Sequence, residues 1–269
     1  MKFNQQLLLD TLKVERKSEY IPFTLHIFEH LSSTNQALWE MLAQGSPPGC
    51  VVIATEQTAG RGQWGRQWLS PAGGLYLSVA IMPKIEAANN YQLTLATVWG
   101  IAAQLQRRGI NLGIKWPNDL VLEGRKLGGI LTETKVHKGL VTQAVIGVGI
   151  NWANPVPDTG INLVSWQTTK ISPTITELEI LAAHVLLGIE TGLKSLEEEG
   201  IDNLLPRYLE FLVNLGEQVH INQLSGTVVG VTSQGNLRLK MAKYNTNAPG
   251  TQEITVIPGT ISLGYPAKI

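Results

Sequence analysis

Hydrophobic and polar positions in the first part of the chain predict two strands separated by a helix. Alternation over residues 23–28 is typical of a strand. Ser33, with Gln36 three positions later, forms a capping box that predicts the start of a helix ending at Gly45. The apolar, β-branched stretch 50–55 predicts a buried strand.

The middle of the chain predicts a strand, a helix and then an antiparallel meander. Alternation over 75–81 predicts a half-buried strand, and apolar spacing over 91–108 predicts a helix that ends at Gly109. Four short strands joined by tight turns are then expected at 114–116, 120–122, 127–134 and 141–150. Strands joined this way need no crossover helix, so the expected fold class is α+β, with a mixed, largely antiparallel sheet covered by helices.

The last third of the chain predicts two more helices and then a small all-β unit. A capping box at Thr174 and Glu177 predicts a helix over 174–199, and a second helix is expected over 201–215. After Gly216 the apolar residues fall in short stretches separated by glycines, which predicts a small β-barrel. We therefore expect a catalytic domain over 1–215 and a small barrel domain over 216–269.

Composition narrows the class of protein. Hydrophobic residues make up 43% of the 269 positions and charged residues only 16%, against about 25% in an average globular protein, so we expect an ordinary globular chain with few surface charges. Lys plus Arg and Asp plus Glu both number 21, so no global charge favours nucleic acid or an anionic membrane. A single cysteine excludes an internal disulfide framework. No apolar stretch reaches the roughly 18 residues that span a bilayer, and no signal peptide is evident. We expect a soluble, cytoplasmic protein without nucleic-acid or membrane partners.

A glycine-rich loop follows the second predicted strand. Residues 60–65 match GxGxxG, but they neither follow the strand directly nor open a helix, so a dinucleotide site is disfavoured. Backbone N–H groups here can approach an anion, and Arg61 and Arg66 can neutralise it. Trp64 and Trp68 can cover a flat ring by stacking. A solvated surface loop is the alternative interpretation.

Two further clusters lie at strand ends. Lys115 begins the sequence KWPNDL, and Lys126 follows one hairpin later. Gly128 and Gly129 would weaken their strand unless something approaches the backbone closely. Asn151 ends an apolar strand after two glycines. Each lysine alone would be taken as a solvated strand end. The histidines have no metal-ligand spacing and accompany no serine-hydrolase motif, so no metal site is expected.

The three clusters together resemble the biotin protein ligases, bacterial enzymes that attach biotin to a lysine of biotin carboxyl carrier protein. The resemblance covers about residues 22–264 and implies a sheet related to that of class II aminoacyl-tRNA synthetases plus an SH3-like barrel. The matching stretches occur in family order at 32–35, 56–68, 115–120, 126–131 and 147–151.

The resemblance implies a two-step, ATP-dependent ligase. Biotin and ATP would give biotinyl-5′-AMP and pyrophosphate, with Mg²⁺ on the phosphates, and biotin would then pass to the carrier subunit of acetyl-CoA carboxylase. Biotin contacts are implied for Ser33, Thr34, Asn35, Gln57, Arg61, Gly62, Lys126, Gly128 and Gly129. Adenylate contacts are implied for Gln63, Arg66, Trp68, Asn118, Lys126 and Asn151. Catalytic roles are implied for Lys126, Arg61, Lys115 and Asp119, and we hypothesise that Asp119 accepts a proton from the incoming lysine.

Two departures from the family pattern shape further expectations. Many members carry arginine where this chain has Gln63, so we expect looser retention of the adenylate. Only about 20 residues precede the first predicted core strand, so we expect a single-function enzyme without operator binding. A monomer or homodimer is expected, with 141–150 as an exposed strand edge able to pair copies or dock the carrier. A lipoate ligase and a non-catalytic binding module are the alternatives.

Overall fold

The computed structural model describes residues 3–17, 19–170, 173–221, 224–242 and 251–265 as six α-helices and twelve β-strands. The helices are α1 (Gln5–Glu15), α2 (Thr34–Ala43), α3 (Tyr91–Gln106), α4 (Leu163–Gln167), α5 (Leu178–Glu199) and α6 (Ile201–Phe211). The strands are β1 (Thr24–Leu31), β2 (Cys50–Gln57), β3 (Leu75–Ile81), β4 (Ile85–Glu86), β5 (Gly113–Lys115), β6 (Asp119–Leu122), β7 (Arg125–His137), β8 (Leu140–Ile150), β9 (Gln218–Ile221), β10 (Leu224–Val231), β11 (Leu237–Ala242) and β12 (Thr251–Val256). None of the described helices is both long and apolar enough to cross a membrane.

The larger sheet confirms the α+β class and the meander. Its strand order is β1-β2-β3-β8-β7-β6-β5, with β4 pairing to β8. The β1–β2 pair is parallel and the other pairs are antiparallel. The tight turns at 123–124 and 138–139 each place two successive residues at positive φ, between 49° and 78°, as hairpins with right-handed twist require.

The expectation of an exposed edge at 141–150 is wrong. Strand β8 lies inside the sheet, hydrogen-bonded to β3 on one side and to β7 on the other. Among the described strands of this sheet, β1 and β5 are the edges. Pairing of copies or docking of a partner through β8 is therefore excluded.

Strand β3 is buried along its whole length, so the expectation of a half-buried strand is also wrong. Helix α2 covers one face of the sheet, where Leu38 packs with Val52 and Val145. The larger core, to which α3 and α5 contribute, covers the other face. The polar residues of β3 are satisfied inside: the Tyr76 hydroxyl donates to the Pro71 carbonyl at 2.7 Å.

The helix ends differ from the sequence prediction in their capping or in their boundaries. Helix α2 begins after Ser33 as expected, but the Ser33 side chain makes no capping bond, and the Gln36 amide donates to Glu40 on the helix surface instead. Helix α5 begins at Leu178, because the backbone N–H groups of Thr174 and Ile175 are held by the Gln167 side chain at 3.1 Å.

Helix α6 ends at Phe211 rather than at 215. The chain beyond it leaves the helix and runs beside β5, where the Val213 N–H donates to the Ile114 carbonyl at 2.9 Å. A main-chain bond to the sheet edge thus replaces the last predicted helical turn. This pairing brings the end of α6 next to the KWPNDL turn.

A separate antiparallel sheet follows, as expected, with order β12-β11-β10-β9. Val228, Val231, Leu237 and Leu239 form its buried side. The Trp116 indole N–H donates to the Gly235 carbonyl at 2.8 Å, which joins this sheet to the KWPNDL turn. The division into domains at 215/216 stays a prediction, and residues 222–223, 243–250 and 266–269 of the predicted second domain lie outside the described residues.

Candidate active site

A cavity of about 220 Å³ lies where the glycine-rich loop, the KWPNDL turn and the middle of the sheet meet. Most residues that the sequence nominated for biotin, adenylate or catalysis line it. These are Ser33, Thr34, Asn35, Gln57, Arg61, Gly62, Gln63, Arg66, Trp68, Lys115, Asn118, Asp119, Lys126 and Gly129. The three separate sequence clusters therefore form one site.

Two nominated residues lie behind the wall of the cavity instead. An added Cβ on Gly128 would lie 2.6 Å from the Gly149 carbonyl oxygen, so this glycine permits close approach of β7 and β8. The Asn151 amide donates to the Lys126 carbonyl at 3.3 Å and accepts a bond from the Asn154 amide at 3.0 Å. Asn151 thereby supports the backbone of Lys126 rather than facing the cavity.

One wall is a buried polar network on α2, β2 and β3. The Thr34 backbone N–H donates to the Gln57 side-chain oxygen at 2.8 Å, and the Gln57 amide donates to Ser70 at 2.8 Å. The Ser78 hydroxyl donates to the Asn35 side-chain oxygen at 2.6 Å. Because both ends of the Gln57 amide are held, its orientation is fixed before any ligand arrives.

The opposite wall carries the positive charge. The Lys126 ammonium lies 2.7 Å from Asp119 Oδ1. Lys115 is 8% exposed, and burial lowers the pKa of its ammonium from the ordinary value while the charge of Asp119 acts in the opposite direction. Of the described residues lining the cavity, only Asp119 is acidic, against the cations Arg61, Arg66, Lys115 and Lys126. The cavity therefore attracts anions although the chain has no net charge.

The glycine-rich loop is held to the sheet through Glu133 on β7. One Glu133 oxygen accepts from the Arg61 guanidinium at 2.9 Å and from the Asn35 amide at 2.8 Å. Gln63 is also tied down, since its side-chain oxygen accepts a bond from the Tyr91 hydroxyl at 3.1 Å. Arg61 is 44% exposed in this pair, so its outer nitrogen atoms stay accessible to an anion.

Trp68 forms a flat surface inside the cavity. Its indole N–H is buried and has no hydrogen-bond partner among the described residues. An added Cβ on Gly149 would lie 2.5 Å from that nitrogen, and one on Gly147 would overlap the Asn35 side chain. The two glycines before Asn151 in the sequence thus make room for site residues.

A further wall, formed by residues 261–265, was not predicted from the sequence. The Tyr265 hydroxyl donates to Asp119 Oδ2 at 2.8 Å, and the Lys115 ammonium lies 3.6 Å from the centre of the Tyr265 ring. No periodic pattern or motif marks this segment, since only the docking of the second sheet brings it to the site. Within the described residues, no group of three His, Cys, Asp or Glu side chains is arranged to hold a metal ion.

Comparison with known proteins agrees with this geometry. The model of the Biotin/lipoate A/B protein ligase family matches residues 27–151. The bifunctional ligase/repressor BirA of Bacillus subtilis is 30% identical over 226 residues, which are 80% of this chain and 69% of that protein. BirA of Escherichia coli is 34% identical over 218 residues, 78% of this chain and 67% of that protein.

Among solved structures, the biotin protein ligase of Aquifex aeolicus in complex with biotin and ATP superposes with a TM-score of 0.68. It is 27% identical in sequence, and the match covers 86% of this chain and 95% of that one. The fold agrees with this match, and the matched region contains the glycine-rich loop and the KWPNDL turn. Together with the identity to bacterial relatives, this shows that the chain belongs to the biotin protein ligase family.

Proposed function

We propose that this protein activates biotin with ATP to biotinyl-5′-AMP, releasing pyrophosphate, and then transfers biotin to a specific lysine of the biotin carboxyl carrier subunit of acetyl-CoA carboxylase. The observation that carries the proposal is the cavity, whose described lining includes four cationic side chains and one carboxylate. A family relative from Aquifex aeolicus is described as a complex with biotin and ATP.

The charge of the cavity suits the first step. A carboxylate is ionised at neutral pH, so its attack on the α-phosphate needs no general base. The reaction needs cancellation of the repulsion between two anions, and preorganised cations supply it. Lys126 is the best-placed residue, because its ammonium lies 2.7 Å from Asp119 and 5.2 Å from the centre of the Trp68 ring. It would lie between the acyl group and a nucleotide stacked on Trp68.

The biotin and adenine subsites follow from the two walls. The fixed polar network of Ser33, Thr34 and Gln57 would hold the ureido ring, whose N–H and carbonyl groups need fixed partners. Trp68 lines the cavity, and its ring would cover the adenine by stacking. Asn151 would act through the Lys126 backbone and not at the adenine edge.

Transfer of biotin to the carrier requires removal of a proton from an amine. Asp119 is the only acidic residue among the described residues that line the cavity, and we assign it this role. It lies beside Lys126, so an acyl group held by Lys126 would be within its reach. Asp119→Asn should leave adenylate formation largely intact and slow transfer.

Magnesium would enter with the phosphates of ATP. Mg²⁺ prefers phosphate and water ligands supplemented by one or two carboxylates, so the phosphates would carry the ion into the site. When bound, the ion would supply charge neutralisation on the polyphosphate. Arg61, Arg66 and Lys115 would share the rest of that charge.

The test measures pyrophosphate release from ATP in the presence of magnesium and either biotin or lipoate. Each assay is run with and without the purified carrier subunit. We expect release with biotin only, and biotin label on the carrier. Lipoate is included because the matching family model covers biotin and lipoate ligases. Release with lipoate alone would replace the proposal by a lipoate ligase, and release with neither acid would leave a binding module.

A matched pair of lysine variants links the activity to this cavity. Lys126→Met should lower the rate of adenylate formation by about 10²–10³, the usual effect of losing one preorganised electrostatic group. Lys135→Met changes the same residue type on the same strand, where the ammonium lies over the Trp39 ring at 4.7 Å. Activity of the Lys135 variant should stay within twofold of the unchanged protein, and equal losses in both variants would contradict the assignment.

A further inference from the structure

The wall formed by residues 261–265 places one aromatic side chain against two residues of the KWPNDL turn. The Tyr265 hydroxyl donates to Asp119 Oδ2 at 2.8 Å. The ring of the same residue lies over the Lys115 ammonium at 3.6 Å. A single side chain from outside the larger sheet thus contacts both sides of the turn between β5 and β6.

The hydroxyl fixes the Asp119 carboxylate. Lys126 holds Oδ1 at 2.7 Å, and Tyr265 holds Oδ2 at 2.8 Å. A carboxylate held at one oxygen can still rotate about its terminal bond, where the energy well is broad. The second contact removes that freedom, so the direction of both oxygen lone pairs is set.

The surroundings keep Tyr265 in the form that can donate. Burial raises the pKa of its hydroxyl above the ordinary value, and the negative charge of Asp119 acts in the same direction. The phenol therefore stays protonated at neutral pH.

We propose that Tyr265 is a positioning residue for the transfer step, aiming the Asp119 carboxylate at the amine of the carrier lysine. The proposal rests on the proposed function and deepens it. In that step the nitrogen of the neutral amine bonds to the acyl carbon of biotinyl-AMP, and the bond from this carbon to the phosphate oxygen breaks. AMP leaves with the electron pair, and one N–H proton passes to Asp119.

Tyr265→Phe tests the proposal because it keeps the ring over Lys115 and removes only the donor. Biotinyl-AMP formation and single-turnover transfer from preformed biotinyl-AMP to the carrier are measured separately. We expect transfer to fall about tenfold, as for loss of a hydrogen bond to a charged group, and adenylate formation to fall by much less. In an Asp119→Asn background the same change should have no further effect on transfer.

The kinetics of transfer give a second readout. At saturating carrier the rate constant for transfer should fall in the Tyr265 variant while the KM for the carrier stays within twofold, because the lost hydroxyl bonds to Asp119. A residue that only supports the fold would lower the rates of both steps together.

Tyr208→Phe is the control, since it removes a buried hydroxyl that contacts the Pro117 carbonyl at 3.4 Å and not the carboxylate. Its ratio of transfer to adenylate formation should match that of the unchanged protein. Equal loss of both steps in the Tyr265 variant would overturn the positioning role alone. Absence of biotinyl-AMP in the unchanged protein would instead overturn the proposed function.

Discussion

A buried ion pair ties the end of helix α1 to helix α5, and its removal should destabilise the fold strongly. The Arg16 guanidinium meets Glu190 through two bonds of 2.9 and 2.6 Å. The two side chains are only 12% and 6% exposed. The same carboxylate accepts the Ile21 backbone N–H at 2.8 Å, and the Arg16 guanidinium stacks 4.9 Å from the centre of the Phe23 ring.

Arg16→Ala leaves the Glu190 carboxylate buried with one neutral donor. Breaking a buried pair in this way costs about 3–5 kcal/mol, because the remaining charge loses its partner and stays desolvated. Against a total stability of about 5–15 kcal/mol, such a loss is roughly a fifth or more of the free energy of unfolding. Urea titration followed by circular dichroism should show a lower midpoint by roughly 1 M or more, with an unchanged slope.

A surface pair provides the control. Arg238 and Glu253 lie 2.6 Å apart but are 39% and 46% exposed, so Arg238→Ala should cost far less stability than Arg16→Ala. Replacing both members of the buried pair by methionine should destabilise less than Arg16→Ala, since no charge is then left unpaired. The reasoning is refuted if Arg16→Ala costs no more than Arg238→Ala.

Three further predictions concern the site and the core. Gly149→Ala should raise the KM for ATP about tenfold with little loss of stability, because the new methyl group displaces the Trp68 ring. The KM is measured from pyrophosphate release in this variant and in the unchanged protein, and equal values would contradict the prediction. Gln63→Arg should slow escape of biotinyl-AMP at least severalfold through an added cationic donor, and a chase of labelled adenylate with equal half-lives would refute it. Burial lowers the pKa of His184 to about 4, so between pH 6.5 and 4 the unfolded state binds a proton that the folded state does not, and stability should fall as the pH drops through this range. In urea titrations at several pH values, His184→Gln should flatten that dependence.

The features that could be predicted from the sequence are those that depend on residues close together in the chain. The meander was predictable because its strands are joined by short turns. The shared position of Arg61 and Lys126 in one site was predictable because each motif lies at the end of a strand. Thr174 did not cap α5, since Gln167 from another element holds its backbone. Strand order is a long-range property, so the interior place of β8 had no local signal. Tyr265 likewise reaches the site only through the docking of the second sheet.

The interior position of β8 divides the cavity into parts with different local stability. The strand that carries Gly147 and Gly149 bonds to β3, β7 and β4, so its amides exchange with solvent chiefly when the whole sheet opens. The glycine-rich loop and residues 261–265 are joined to that floor by a few side-chain bonds, such as that from Arg61 to Glu133. Local opening of these walls therefore needs far less free energy than unfolding. Ligands can enter and products leave while the floor beneath them keeps its shape.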